Sequence, residues 1–147
     1  MTFRLMYVAG TKMGTKTANS LYFDNLQFVY GTNVDDIDNP IINSITANGK
    51  ELKNGTVLET NTVNIDSIFS DVQNKYTTGI DKKTVRMYID GVNVVDNPKY
   101  EYALDGNQMN HLYNLKLKDG SHSVTVTVRD GFGNETSETR NFTVDTK

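Results

Sequence analysis

The chain has 147 residues, with no cysteine, no tryptophan and only two prolines. The absence of cysteine excludes disulfides, thiolate metal sites and a cysteine nucleophile. No apolar run approaches the roughly 18 residues that a membrane-spanning helix needs, so we expect no membrane span. The first ten residues, MTFRLMYVAG, are too polar and too short for a signal peptide, and we expect any export signal to lie outside this sequence.

Basic residues are scarce and scattered. The chain has 15 Lys and Arg against 18 Asp and Glu, a net charge of −3 and an isoelectric point of about 5.3. Its longest basic run is the pair Lys82-Lys83. Neutralising phosphates requires clustered Lys and Arg, so we predict no nucleic-acid partner.

Residues 41–147 alternate between apolar and polar side chains, which is typical of β-strands. The clearest case is SHSVTVTVRDG, where Val124, Val126 and Val128 share one face. Asp90-Gly91 is a two-residue hairpin signal. About seven such strands, with at most one helical turn within 66–76, predict an all-β, two-sheet antiparallel sandwich.

The residues before this domain predict extra N-terminal strands. MTFRLMYV and LYFDNLQFVYG carry apolar residues on both faces, and two strands alone are marginal in water, so these strands need partners. The segment 32–40, TNVDDIDNP, is acidic and ends at Pro40, which holds Asn39 extended. We therefore predict a fragment over 1–31, an acidic linker over 32–40 and a complete domain over 41–147.

Two stretches carry a resemblance to a known family. TGIDKKTVRMYIDG and LKDGSHSVTVTVRDGFGNETSETRNFTV resemble the immunoglobulin-like modules of secreted and cell-wall proteins of Gram-positive bacteria. That resemblance implies a seven-stranded immunoglobulin/fibronectin-like β-sandwich, located outside the cell or in the cell wall. Such modules are appended to carbohydrate-active enzymes, phosphodiester glycosidases and adhesin-like proteins.

The stretch SLYFDNLQFVYG resembles the closing strand of the jelly-roll modules that flank catalytic domains in secreted glycan enzymes. Residues 1–31 are then the C-terminal strands of a preceding jelly roll. We expect Phe3–Tyr30 to pack on a neighbouring module, to pair with another copy of the chain or to be poorly ordered.

Neither the histidines nor the carboxylates predict catalysis. We predict that His122 begins a strand and is a structural residue at a sandwich edge. His111 is predicted to lie in a polar loop. Neither has a Ser or Asp at a spacing that suggests a triad. Many of the acids lie in turns, where Asp bonds its own backbone; examples are Asp81, Asp90, Asp96, Asp105, Asp119 and Asp130.

The linker carries the one metal hypothesis. Asp35, Asp36 and Asp38 alternate before a proline, as in the calcium linkers between cadherin repeats, which they resemble. Ca²⁺ takes six to eight oxygen ligands, and Asp130 or Asn134 could complete the set if their loop lies at the same pole. The alternative is a solvated acidic linker without an ion. No other cofactor is predicted.

The aromatic residues suggest a glycan-binding alternative. Sugar-binding faces stack rings on planar aromatics, and Tyr88, Tyr100, Tyr102 and Tyr113 could form such a patch, although strand parity buries several of them. We therefore predict a non-catalytic module that spaces or positions neighbouring modules of an exported bacterial protein. The alternatives are a module that binds cell-wall or host glycans and a fragment of a glycan-acting enzyme.

Overall fold

The computed structural model describes residues 35–147. The chain divides into two units, Met1–Thr32 and Asn33–Lys147, and the second contains the whole described part. The predicted strands within 1–31, their jelly-roll assignment and their pairing with another copy lie outside the described residues.

Within residues 35–147, ten strands form two five-stranded sheets packed as a sandwich. In chain order the strands are β1 (Ile41–Ala47), β2 (Lys50–Glu51), β3 (Thr56–Leu58), β4 (Thr62–Ser70), β5 (Arg86–Ile89), β6 (Val92–Asn93), β7 (Glu101–Asp105), β8 (Met109–Lys116), β9 (Gly120–Arg129) and β10 (Glu135–Val144). The first sheet has the order β2-β1-β4-β8-β7 and the second the order β3-β10-β9-β5-β6. All pairings are antiparallel except that of β3 with β10.

The predicted all-β sandwich is confirmed, although the strand count is higher than seven. The three additional strands, β2, β3 and β6, have only two or three residues and lie at sheet edges. β6 pairs with β5 across the predicted Asp90-Gly91 turn, where both residues have positive φ of 49° and 80°. Such a turn matches the twist of the strands that it joins.

The core lies between the sheets and is built from the alternating positions that the sequence predicts. Val124, Val126 and Val128 of β9 are fully buried. On the other sheet, β4 contributes Val63, Ile65 and Phe69, which are also fully buried. Burial of this kind stabilises a domain by about 25 cal/mol per Å² of apolar surface, relative to an extended chain.

One predicted alternation fails in β8. Strict alternation predicts Tyr113 on the same face as Leu115, yet Tyr113 is 42% exposed and Leu115 is buried. The β4–β8 register shifts between Val63 and Ile65, and Asn114 has a φ of 52°. An extra residue of this kind is a β-bulge, which turns the preceding side chain to the other face.

The helical turn predicted within 66–76 is absent, because β4 continues to Ser70 and a loop follows. Instead a 3₁₀ turn spans Lys82–Thr84. The side chain of Asp81 accepts a hydrogen bond from the Lys83 N–H and so caps this turn.

The long hairpin of β9 and β10 defines the two poles of the domain. Its register runs from Glu135 opposite Arg129 to Val144 opposite Gly120. The loop 130–134 therefore lies at one pole, and the C-terminal residues leave from the other. Asn134 Nδ2 donates to the Asp36 carbonyl at 2.7 Å, so the linker enters at the pole of loop 130–134. We call this end the linker pole.

Candidate functional site

Three aspartates converge at the linker pole. Asp36 comes from the linker, Asp71 directly follows β4, and Asp130 directly follows β9. Their exposed fractions are only 1%, 5% and 2%. One carboxylate oxygen from each residue lies within 4.8 Å of the others. The ends of β4 and β9 lie at the same pole of the sandwich, so aspartates that are far apart in sequence come together there.

Asp130 is held by its own loop. Its Oδ1 accepts three backbone hydrogen bonds, from the N–H groups of Phe132, Gly133 and Asn134, at 2.9, 2.7 and 2.9 Å. Its Oδ2 accepts from Asn134 Nδ2 at 2.7 Å. Gly133 has a φ of 104°, which an L side chain rarely adopts, so glycine permits this wrapped loop.

Asp36 is fixed by the loop that follows β4. Its Oδ2 accepts from the Thr78 hydroxyl at 2.7 Å and from the Thr78 N–H at 2.8 Å. The Thr78 hydroxyl bond, with weaker help from backbone N–H groups, holds the pKa of Asp36 below its usual value, although burial opposes this shift. Asp36 is therefore ionised at neutral pH, and the segment around it is attached to the loop after β4 through a buried charge.

Asp71 completes the cluster from the same loop. Its Oδ2 accepts from the Thr77 hydroxyl at 2.8 Å and from the Gly79 N–H at 2.7 Å. Its Oδ1 accepts from the Val72 N–H at 2.9 Å. The loop 71–79 is thereby organised around two carboxylates, its own Asp71 and the linker's Asp36.

The donor set fits a hard divalent cation. Two oxygens on one Ca²⁺ ion, each at 2.3–2.6 Å, lie at most about 5 Å apart, and the three carboxylates meet that limit. Asp36 Oδ1, Asp71 Oδ1 and Asp130 Oδ2 each accept one hydrogen bond within the described residues and so retain a lone pair. Within residues 35–147, none of the three forms an ion pair with Lys or Arg. A cation would remove their mutual repulsion.

The structure brings together part of the predicted calcium set. Asp36 and Asp130 lie in the cluster, and the loop of Asn134 is at the same pole, as the hypothesis required. Asp35 is exposed and Asp38 bonds to Asn74 instead, so both lie outside the cluster of three. Asp71 is not among the predicted ligands, because the sequence SDV at the end of a strand is typical of an ordinary turn.

The tyrosines proposed for glycan binding do not share a surface. Tyr88 lies on the outer face of the second sheet, whereas Tyr100, which precedes β7, and Tyr102 of β7 pack against the core. Burial raises the pKa of Tyr102, against the effect of its hydrogen bond with Asn110. Tyr113 is the exposed member of the predicted group because of the β8 bulge.

The two histidines occupy different settings. His122 lies near the start of β9, as predicted, with its Nδ1 2.7 Å from Asp90 Oδ2 and its Nε2 2.8 Å from the Lys118 carbonyl oxygen. A shallow depression of about 540 Å³ borders this histidine. His111 is in β8 rather than in a loop, because β8 begins already at Met109.

No helix in residues 35–147 combines the length and apolar character required to cross a bilayer.

No curated protein matches the chain. Among solved structures, a chimeric titin Z1Z2 has a TM-score of 0.50 at 16% identity, covering 75% of this chain and 49% of that one. Dimeric latent PorU from Porphyromonas gingivalis has a TM-score of 0.50 at 20% identity, covering 72% of this chain and 10% of that one.

Titin domain M7 is similar over 74% of this chain and 95% of its own length, with 17% identity and a TM-score of 0.48. Likeness at these identities concerns the fold alone. The family profile described as "Bacterial Ig-like domain" matches residues 46–146, which is more than half of the sequence. The chain therefore belongs to the bacterial Ig-like domain family.

Proposed function

We propose that residues 35–147 form a non-catalytic spacer in an exported, multi-module bacterial surface protein. The observation that carries this proposal is the placement of the two ends of the domain. The linker attaches at the pole of Asp36 and Asn134, while Thr146 bonds to Asp119 beside the start of β9 at the opposite pole. Modules joined to the two ends would be held apart by the length of the sandwich.

The strand pairing of the sandwich favours stiffness along the line that joins its two poles. β10 has ten residues and is paired on both sides, with β9 over its full length and with β3 near its end. Ten residues in a strand span about 33 Å. β10 cannot detach without breaking its hydrogen bonds to both β9 and β3. The packed core therefore fixes the distance between the two ends of the domain.

The linker attachment is the second part of the proposal. Asp36 is buried and bonds to Thr78, and its carbonyl accepts from Asn134. We propose that Asp36, Asp71 and Asp130 hold one Ca²⁺ ion, with backbone carbonyls and water completing its shell. The ion would tie the linker to two loops of the domain and would set its direction at the linker pole.

A distance measurement between the ends tests the spacer. The cysteine-free chain permits a clean double label at Asp35→Cys and Lys147→Cys, both exposed positions. Single-molecule energy transfer should give one narrow distance distribution in Ca²⁺. Adding Asp36→Asn should broaden it, because the label would then lie on a released linker. Asp81→Asn, which changes an aspartate in a different loop, is the matched control and should leave the distribution unchanged.

The same labelled protein separates the spacer from the glycan-binding alternative. A broad distribution in Ca²⁺ that becomes narrow only when a cell-wall polysaccharide is added would reject the spacer proposal. Saturable polysaccharide binding that Tyr88→Ala abolishes would support the alternative. Unaltered narrow distances with every polysaccharide tested would support the spacer.

A further inference from the structure

A second polar cluster lies on the outer face of the first sheet, along β8. The register places His111 opposite Asp66 of β4 on one side and opposite Ala103 of β7 on the other. Asp105 is two residues further along β7. His111 is therefore flanked by carboxylates from both neighbouring strands, and we call Asp66, Asp105, His111 and Tyr113 the His111 cluster.

One carboxylate fixes the tautomer of the ring. Asp66 Oδ1 lies 2.6 Å from His111 Nδ1. An ionised carboxylate can only accept, so Nδ1 carries the hydrogen and, in the neutral ring, Nε2 has the free lone pair. A carboxylate on the far nitrogen is the arrangement that orients metal-binding histidines and increases their basicity.

The other carboxylate faces that lone pair. Asp105 Oδ2 lies 4.0 Å from His111 Nε2, which is too long for a direct hydrogen bond. A Zn²⁺ ion bound at about 2.0–2.1 Å to nitrogen and about 2.0–2.2 Å to oxygen, at a tetrahedral angle, needs its ligands about 3.4 Å apart. The Asp105 side chain is 72% exposed and can move the remaining distance.

The ring of His111 is held in position by its neighbours. The His111 side chain is only 19% exposed. Its ring stacks on Tyr113, with centroids 5.6 Å apart and planes 16° from parallel. Ala103, the residue directly opposite on β7, carries only a methyl group. A pre-positioned ligand loses little freedom when it binds a metal.

The local charge also favours a cation. Within residues 35–147, neither Asp66 nor Asp105 forms an ion pair with Lys or Arg. One imidazole and one carboxylate favour late first-row ions such as Zn²⁺ and Cu²⁺, whereas Ca²⁺ takes oxygen ligands alone. This cluster and the aspartates of the linker pole therefore differ in the ions that suit them.

We propose that His111 Nε2 and Asp105 bind a late first-row divalent cation, with Asp66 as the positioning residue and water in the remaining coordination positions. This site is independent of the spacer role, since none of its residues belongs to the aspartate cluster of the linker pole. Its failure would leave the proposed function untouched, because the energy-transfer experiment involves neither His111 nor Asp105.

The test is a calorimetric titration of the full chain with Zn²⁺ in the presence of saturating Ca²⁺. We expect one saturable equivalent, together with a shift of the His111 ring resonances in NMR spectra. His111→Gln should abolish binding. Asp66→Asn should weaken it by about 10–100-fold, and Asp105→Asn, which removes a direct ligand, should weaken it at least as much. His122→Gln is the matched control and should bind as the wild type does.

Two outcomes would overturn this proposal. One is the absence of saturable Zn²⁺ binding at millimolar concentrations. The other is binding that persists in His111→Gln. If His111→Gln fails to fold, Asp105→Asn still decides the matter, because its side chain is largely in solvent.

Discussion

His122 provides the sharpest test of how a single side chain stabilises this domain. Both of its ring nitrogens face acceptors, the Asp90 carboxylate and the Lys118 carbonyl, so both bonds form together only when the ring is protonated. Burial lowers the pKa of His122, but the hydrogen bonds to Asp90 and Lys118 and the charge of Asp90 outweigh it, so the pKa is raised. The ring thereby joins the β5–β6 turn to the β8–β9 turn.

The perturbation is His122→Gln, and its magnitude follows from the bonds lost. A hydrogen bond to a charged group contributes about 1.5–3 kcal/mol, and Gln can replace one of the two. The Asp90 side chain is 44% exposed, and solvent weakens its contribution. We therefore expect the free energy of unfolding to fall by about 1–2 kcal/mol at acidic pH.

The pH dependence has a definite sign. Because the folded-state pKa is raised above the unfolded value of about 6.5, the protonated ring contributes fully below that pH. The contribution is lost as the pH rises through the folded-state pKa. The difference in unfolding free energy between wild type and His122→Gln should therefore be larger at about pH 5.5 than at about pH 8.5.

The assay is urea unfolding followed by circular dichroism, since the chain has no tryptophan for fluorescence. Asp90→Asn is the matched variant, and a double-mutant cycle with His122→Gln should give a coupling that shrinks as the pH rises. Other titrating groups cancel in these differences. A difference that stays flat or grows with pH would refute the inference that the ring is held as an imidazolium.

Three further predictions concern the core, the bulge and the linker pole. Val126→Ala should lower the free energy of unfolding by about 2–3 kcal/mol because it leaves a cavity between the sheets, whereas the outward Thr127→Ala should cost below about 1 kcal/mol in the same urea assay. Asn114→Val should lower the free energy of unfolding by about 1–2 kcal/mol more than Asn114→Gly does, because only glycine adopts the positive φ of this position freely. Equal effects of the two substitutions would contradict the bulge. Chelating Ca²⁺ should lower the melting midpoint of the wild type but not that of Asp71→Asn, and an unchanged wild-type midpoint would reject the ion at the linker pole.

The sheet pattern could be predicted because it depends on local alternation. Val85, Met87 and Ile89 point inward and Asp90-Gly91 turns the chain, as their spacing requires. The β8 bulge could not be predicted in this way. The preference of Asn114 for positive φ is weak by itself, and it is realised because Asn64 on the neighbouring strand accepts its N–H at 2.9 Å.

The residues of the candidate sites are brought together by packing and are not marked by a sequence motif. Asp36 and Asp130 could be proposed as partners only on the condition that their loops share a pole. Asp71 had no distinguishing signal, since it is a turn residue like many others in the sequence. The polar residues Gln108 and Asn110 predict a loop around His111, yet Asn110 is buried and bonds to Ser67 inside the sandwich.

The sequence by itself determined the period, the turns and the class of this protein, because the faces of a strand and the φ values of Asp-Gly and Asn-Gly turns are set within a few residues. Only the tertiary structure decided which residues meet across long separations: Asp36 with Asp130 at one pole, and Asp66 with His111 and Asp105 on one face. Strand order and register control those meetings, and they follow from how two whole sheets bury their apolar faces together.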